Sequence, residues 1–97
     1  MLDKLIEEGL NLKSQIEVTE VYGVKSYNLS GEDFEKWASK VILYLEDHYP
    51  GKAITNKAIE VYNQLRNSSV ENYEFLLGTI KGLQEYEREQ DDDFDAF

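Results

Sequence analysis

The segment from residue 34 to residue 49 constrains the fold of this chain most strongly. Its apolar residues recur every three or four positions, as they do along one face of an α-helix. They are Phe34, Trp37, Ala38, Val41, Ile42, Leu45 and Tyr49. Ser30 and Asp33 precede this stripe at the spacing of a capping box, and Pro50 follows it, where proline disfavours helical geometry at the preceding residue. The segment therefore predicts an amphipathic helix that organises the core.

Three further segments show the same periodicity and predict three more helices. They cover residues 2–16, about 53–66 and about 70–89, and Ser68 and Glu71 have capping-box spacing at the start of the last one. Gly9 lies inside the first segment, where glycine costs about 1 kcal/mol relative to alanine. We interpret it as a site of close packing against another helix. The sequence thus predicts an all-α fold, a compact bundle of about four helices.

Residues 17–29 have a different composition, rich in β-branched and aromatic side chains, with Gly23 near the middle. This composition is typical of a small β-hairpin, or of an extended connector with a turn at Gly23. An isolated hairpin is only marginally stable in water, so we expect such a hairpin to pack on the helices.

Length and composition exclude several classes of protein. Ninety-seven residues make one small domain, and the absence of cysteine excludes disulfides and thiolate sites and fits a cytoplasmic location. The start of the chain lacks the pattern of a signal peptide, and no apolar run approaches the roughly 20 residues that span a bilayer. The net charge is −10, of which residues 85–97 contribute −6 through seven acids and one arginine. Such charge argues against direct binding to nucleic acid or an anionic membrane.

Catalytic and metal-binding patterns are also missing from the sequence. His48 is the single histidine, and it lies near the end of the second predicted helix, where the helix dipole favours a cation. The paired acids, such as Glu46 and Asp47, border helix turns or exposed faces. No phosphate-binding loop, nucleophilic triad or paired-histidine zinc motif is present. We therefore predict a protein that is not an enzyme and has no metal or cofactor.

The acidic end of the chain is the strongest candidate for function. Residues 91–97 combine four aspartates with two phenylalanines, a composition suited to a basic groove with an apolar floor on a protein partner. We predict a helical domain over residues 1–89 and an acidic, flexible tail over 90–97. Tyrosine is favoured at interfaces, and two tyrosines join the tail as candidates. The predicted partner-binding residues are Phe94, Phe97, Asp91, Asp92, Asp93, Tyr86 and Tyr44.

This end resembles the C-terminal tip of bacterial single-stranded-DNA-binding proteins, which has an acidic run, an apolar residue, proline and a final phenylalanine. Residues 91–93 match the acidic run and Phe97 matches the final residue. Ala96 stands where that family has proline, and residues 94–95 replace its one apolar residue. In that family the tip docks on genome-maintenance enzymes, with the phenylalanine in a pocket and its carboxylate on a basic residue. The resemblance implies the same anchoring role for Phe97.

The body resembles small helical modules of bacterial and prophage genomes, some of them in defence-associated proteins. Residues 5–9 match their opening, and Trp37 with Tyr49-Pro50 matches their tryptophan helix and its aromatic–proline stop. This resemblance implies a phage or defence context. The leading hypothesis is a non-enzymatic inhibitor or adaptor that binds a basic protein surface. The alternatives are an acidic mimic of nucleic acid and a module that forms homodimers or assembles a longer protein.

Overall fold

The computed structural model describes residues 1–29, 31–65 and 69–95, and it describes residues 69 and 91–95 by their backbone alone. Four α-helices and one two-stranded antiparallel hairpin make up these residues, which confirms the predicted fold class. In chain order the elements are α1 (Leu2–Asn11), a 3₁₀ turn (Leu12–Gln15), β1 (Glu17–Val21), β2 (Val24–Asn28), α2 (Glu32–His48), α3 (Ala53–Asn63) and α4 (Ser69–Asp95).

The boundaries differ from the prediction mainly at two ends. The first helix changes into a 3₁₀ turn after Asn11, and α4 continues to Asp95 instead of ending near residue 89. Acids at a helix C-terminus oppose the helix dipole, which is why the sequence predicted an earlier end. The two predicted capping boxes involve Ser30 and Ser68, which lie outside the described residues. None of the helices in the described parts of the chain is long and apolar enough to cross a membrane.

The core lies where α1, α2 and α4 meet. Trp37 of α2 is buried there, and its Nε1 donates a hydrogen bond of 2.8 Å to the carbonyl oxygen of Leu5 in α1. Tyr73 of α4 is buried against the same indole, with ring centroids 5.5 Å apart, and its hydroxyl donates to the carbonyl oxygen of Gly9 at 2.6 Å. Two aromatic side chains thus fix the position of α1 through its backbone.

Gly9 shows why α1 needs a glycine at this point. A Cβ atom added here would lie 2.7 Å from the Trp37 ring and 2.9 Å from a methyl group of Leu77. Both distances are shorter than van der Waals contact, so only a residue without a side chain fits. The prediction that Gly9 marks close helix packing is confirmed.

The hairpin stands outside this core. Its strands pair in the register Glu17 to Asn28 through Val21 to Val24, and the backbone at Tyr22 and Gly23 forms the turn. All ten strand residues are exposed, although β2 contacts α4. The hairpin therefore contacts the helices through β2, as expected, but this contact leaves both of its faces exposed. The chain is anchored instead at the two ends of the hairpin, where Ile16 is half-buried and Leu29 is buried.

Candidate protein-interaction surface

Large apolar side chains are exposed along the whole hairpin. They are Val18, Val21, Tyr22, Val24 and Tyr27, each of which exposes more than half of its surface. Tyr22 at the turn is completely exposed. Isolated exposed apolar residues are normal on protein surfaces, whereas a contiguous apolar patch marks an interaction site. On the hairpin the exposed apolar residues are not isolated, because the strand register groups them in cross-strand pairs.

The strand register divides these residues between two faces. Residues that lie directly opposite each other in a hairpin share a face, and faces alternate along each strand. Val21 and Val24 are paired next to the turn, and together with Tyr22 they form what we call the hairpin tip. Val18 and Tyr27 are paired on the other face. Neither face presents a purely polar surface to solvent.

The backbone of the turn adds a second unusual feature. Tyr22 has φ of 52° and Gly23 has φ of 77°, so both central residues are left-handed, as a type I′ turn requires. Glycine adopts this conformation freely, whereas a residue with a bulky side chain pays about 1–2 kcal/mol. Asparagine, aspartate or glycine would form the turn at lower cost. The turn geometry therefore does not explain a tyrosine at position 22.

A groove of about 750 Å³ runs between the hairpin and α4. Val18 and Tyr27 line it from the hairpin, and Leu77 lines it from α4. Lys13, Lys81 and Glu74 also line this groove. The surface around the hairpin thus combines apolar side chains with charges of both signs.

Tyr44, a predicted partner-binding residue, lies inside the molecule. Its side chain is 6% exposed, and its hydroxyl donates to Glu87 Oε2 at 2.9 Å. Tyr49 donates to the same oxygen at 2.5 Å. The prediction that Tyr44 faces a partner is not supported by this position, because α4 runs past the end of α2 and covers the ring. We call Tyr44, Tyr49 and Glu87 the tyrosine latch.

The latch changes the acidity of both tyrosines. Burial disfavours the phenolate, and the hydrogen bond and negative charge of Glu87 disfavour it further, so the pKa of Tyr44 rises to about 12. The same causes raise the pKa of Tyr49. Both hydroxyls therefore stay protonated and donating at alkaline pH values near 10, where a free tyrosine ionises. The latch is a structural connection between α2 and α4, not a source of nucleophiles.

The remaining predicted residues lie on or beyond α4. Tyr86 is 51% exposed, as a contact residue must be. Asp91, Asp92, Asp93 and Phe94 belong to the helical backbone of α4, but their side chains lie outside the described residues, as does Phe97. Their predicted role in partner binding stays a prediction.

His48 occupies the end of α2, where the sequence places it. Its ring stacks on Tyr44 with centroids 4.2 Å apart, and its Nδ1 lies 3.0 Å from the Tyr44 carbonyl oxygen. A histidine in these contacts supports the helix end and the latch. Among the residues described by the structure, no group of three or more histidine, cysteine or acidic side chains is arranged to hold a metal ion.

Sequence reasoning overlooked two features that the structure brings out. The hairpin tip was not among the predicted contact residues, although a Tyr-Gly pair at the centre of a predicted hairpin was a readable signal. Glu87 was counted only as one of many acids near the C-terminus. Comparison with protein-family models, with curated proteins and with solved structures finds no match to this chain.

Proposed function

We propose that this protein is a non-enzymatic interaction protein that binds another protein through its hairpin tip. The observation that carries the proposal is the completely exposed Tyr22 in a left-handed conformation, flanked by the exposed pair Val21 and Val24. Strained backbone at an exposed aromatic residue has no benefit for this fold alone. A pocket on a partner that receives the tip supplies the benefit.

Energetics support the same conclusion. Fully burying a valine-sized or larger apolar side chain is worth about 1.5–3 kcal/mol. The folded chain leaves Val21, Tyr22 and Val24 exposed and gains little of this free energy. A two-stranded hairpin also depends on burial of a face for its stability. Covering the tip with a partner therefore yields binding free energy and stabilises the hairpin at once.

The acidic end contributes a second element to this proposal. Residues 85–97 carry a charge of −6, so they attract a basic surface over a distance comparable to the Debye length. Such attraction mainly raises the association rate, whereas apolar contacts slow dissociation. In this proposal the partner surface is basic, the tip is the apolar anchor, and Phe94 and Phe97 are additional anchors. Inhibition or recruitment in a phage or defence context is the setting that the sequence resemblance supports.

Photo-crosslinking from the hairpin tip tests the proposal. A photoreactive phenylalanine analogue at position 22 is expected to capture a defined protein in cells that make this chain. The matched control places the same analogue at Leu43, which is exposed on α2 and lies outside the hairpin. Equal yields from positions 22 and 43, or none from either, would contradict binding through the tip.

The contribution of the acidic end requires a separate experiment. Once the partner is known, the double variant Phe94→Ala/Phe97→Ala is expected to weaken binding, because two candidate anchors are lost. Its effect is measured as dissociation rate, since the charge that drives association is unchanged. An unchanged dissociation rate would remove the acidic end from the anchoring role and leave the tip intact as the site.

Mimicry of nucleic acid is the second candidate function. The observation that favours it is the continuous helical backbone of α4 through Asp95, which places the strongly acidic stretch of residues 85–95 on one helix. A mimic occupies the nucleic-acid site of its partner, so DNA or RNA competes with it. Competition that is absent at saturating nucleic acid would exclude mimicry while leaving the hairpin proposal standing.

A further inference from the structure

β1 is an open edge of the two-stranded sheet. Both strands of a hairpin are edges, but β2 also contacts α4. All five residues of β1 are exposed. An exposed edge strand presents unpaired backbone N–H and C=O groups that another extended chain can bind. β1 is therefore the part of the hairpin where the backbone itself is available to a partner.

The strand register identifies which backbone groups point outward from β1. The two-residue turn lies between Val21 and Val24, and a β-turn joins its first and fourth residues by a hydrogen bond. Hydrogen-bonded and non-hydrogen-bonded pairs alternate along an antiparallel ladder. Val18 and Glu20 therefore belong to non-hydrogen-bonded pairs, and their N–H and C=O groups face away from β2. In the described part of the chain, no backbone hydrogen bond to another element involves either residue.

Two carboxylates make this edge acidic. Glu17 and Glu20 are exposed, and neither forms an ion pair within the residues that the structure describes. Their side chains lie on opposite faces of the hairpin, because they are three positions apart in one strand. Lys25 lies across from Glu20 on β2 but forms no salt bridge with it. A strand that pairs with β1 therefore meets an acidic side chain on each face.

The two glutamates disfavour a second copy of this chain as the occupant of the edge. Another β1 strand brings the same carboxylates, in a chain whose net charge is −10. Like charges on paired strands are destabilising, and charged residues on an edge strand suppress self-pairing. An extended segment with lysine or arginine is attracted at the same positions. Charge complementarity therefore favours a basic segment of a different protein.

We propose that the partner binds by β-strand addition, in which an extended basic segment pairs along β1. The backbone of this segment bonds to the outward groups of Val18 and Glu20. Its basic side chains lie beside Glu17 and Glu20, and its apolar side chains lie beside Val18 and Val21. The segment therefore carries two basic residues three positions apart, each next to an apolar residue. Backbone hydrogen bonds supply affinity in this mode of recognition, which rests on the proposed function and extends the contact from the tip along the strand.

Peptide selection and amide hydrogen exchange test this binding mode before the partner is known. A display library of random short peptides is the probe, and selection on the full chain is expected to enrich the basic and apolar pattern. A selected peptide is expected to slow hydrogen exchange at the amides of Val18 and Glu20 by at least about tenfold, as measured by NMR. Selection that enriches no peptide above background, or peptides that leave both amides in fast exchange, would overturn the proposal.

Proline substitutions separate the two edges of the hairpin. Glu20→Pro removes an outward N–H from β1, and Lys25→Pro removes the outward N–H at the paired position of β2. Proline is tolerated on an edge strand where the N–H faces solvent, so both variants are expected to fold. Glu20→Pro is expected to weaken binding of the selected peptide by about tenfold, and Glu20→Gln, which keeps the N–H, by about threefold. Full binding by Glu20→Pro, or an equal loss with Lys25→Pro, would contradict pairing along β1.

Charge reversal tests the choice of occupant. Glu17→Lys combined with Glu20→Lys is expected to weaken binding of the selected peptide by about tenfold. Glu46→Lys combined with Asp47→Lys is the matched control, because it changes the net charge equally at exposed positions of α2. An equal loss in the control would refute local pairing with the edge. Slow exchange at Val18 that appears when the chain alone is concentrated would identify a second copy as the occupant and overturn the proposal.

The tip and the edge of the hairpin give different results in the crosslinked complex. Loss of binding in Tyr22→Gly, with the amides of Val18 and Glu20 still in fast exchange in the unchanged complex, would refute strand addition and leave the tip as the site. Slow exchange at both amides, with full binding by Tyr22→Gly, would support strand addition and refute the role of the tip.

Discussion

The core around Trp37 and the hairpin around Tyr22 use the same kinds of residue for opposite purposes. In the core, Tyr73 is buried and its hydroxyl donates a hydrogen bond to the carbonyl oxygen of Gly9. Position 9 is a glycine because the ring of Trp37 occupies the space that a side chain would need. In the hairpin, Tyr22 is completely exposed, and Gly23 is a glycine because its φ is positive. The difference indicates that apolar burial is concentrated in the helices. In our proposal, the exposed hairpin is the part of the molecule that binds a partner.

Truncating Trp37 in the core and Tyr22 in the hairpin is expected to give the largest difference in stability between the two regions. Trp37→Ala is expected to lower the free energy of unfolding by about 3–5 kcal/mol, because it leaves a cavity and removes the hydrogen bond from the indole to the Leu5 carbonyl oxygen. Tyr22→Ala is expected to change it by less than about 0.5 kcal/mol, as exposed substitutions usually do. Urea denaturation measures both values. Similar losses in the two variants would show that the hairpin belongs to the folding core.

Substitutions of two glycines compare a packed site with an open one, and smaller changes in stability are expected. Gly9→Ala adds a methyl group against Trp37 and Leu77, and the overpacking is expected to cost about 1–3 kcal/mol despite the better helix propensity of alanine. Gly78→Ala meets no described atom and is expected to stabilise the fold by up to about 1 kcal/mol. Thermal unfolding of the two variants gives both signs. A stabilising Gly9→Ala would refute the close packing of α1 on α2.

The residues of the tyrosine latch are less buried than the core around Trp37 and more buried than the hairpin. The pH dependence of the free energy of unfolding measures how much the latch contributes to stability. An unfolded tyrosine ionises near pH 10, whereas the pKa of folded Tyr44 is about 12. Above pH 10 the unfolded chain therefore holds fewer protons than the folded chain, and the free energy of unfolding falls as pH rises. Below pH 10 both states are protonated and this contribution is constant. Denaturation measured from pH 7 to pH 12 is expected to show this loss.

Removing one hydroxyl isolates the latch from other alkaline effects. Tyr44→Phe is expected to cost about 1–2 kcal/mol at pH 7, because a hydrogen bond to a carboxylate is lost. The same variant is expected to lose less stability than the unchanged chain above pH 10, because one raised pKa is absent. Parallel pH profiles for the two proteins would mean that the latch does not control the alkaline loss.

The helical part of the fold could be predicted from the sequence because the pattern of each helix is local. The apolar stripe of α2 and the proline that ends it, Pro50, lie within 17 residues of chain. Gly9 indicates close packing because a glycine inside a helix is destabilising unless it has such a role. The tyrosine latch could not be predicted in this way. Its carboxylate at Glu87 lies 43 residues from Tyr44 and 38 residues from Tyr49, and only the path of α4 brings them together.

The exposed hairpin shows a different limit of sequence reasoning. A run such as Val18 to Val24 has the composition of a half-buried strand, and composition does not state whether a helix covers either face. The sequence therefore predicted the hairpin as one of two alternatives and expected it to be covered. The predicted tail over residues 90–97 stays a prediction, because the side chains at its centre lie outside the described residues.

The variant with the smallest expected effect on folding, Tyr22→Gly, best separates an effect on binding from an effect on stability. Tyr22→Gly removes a bulky residue from a left-handed position, and this gain offsets the greater freedom of glycine in the unfolded chain. The free energy of unfolding is therefore expected to change by less than about 1 kcal/mol. Binding to the crosslinked partner is expected to weaken by at least about tenfold, because a central aromatic anchor is lost. Leu43→Ala, an exposed apolar truncation outside the hairpin, is expected to leave both quantities unchanged. If Tyr22→Gly instead preserved the affinity, the aromatic ring at the turn would have no role in recognition, and the strain at position 22 would again lack an explanation.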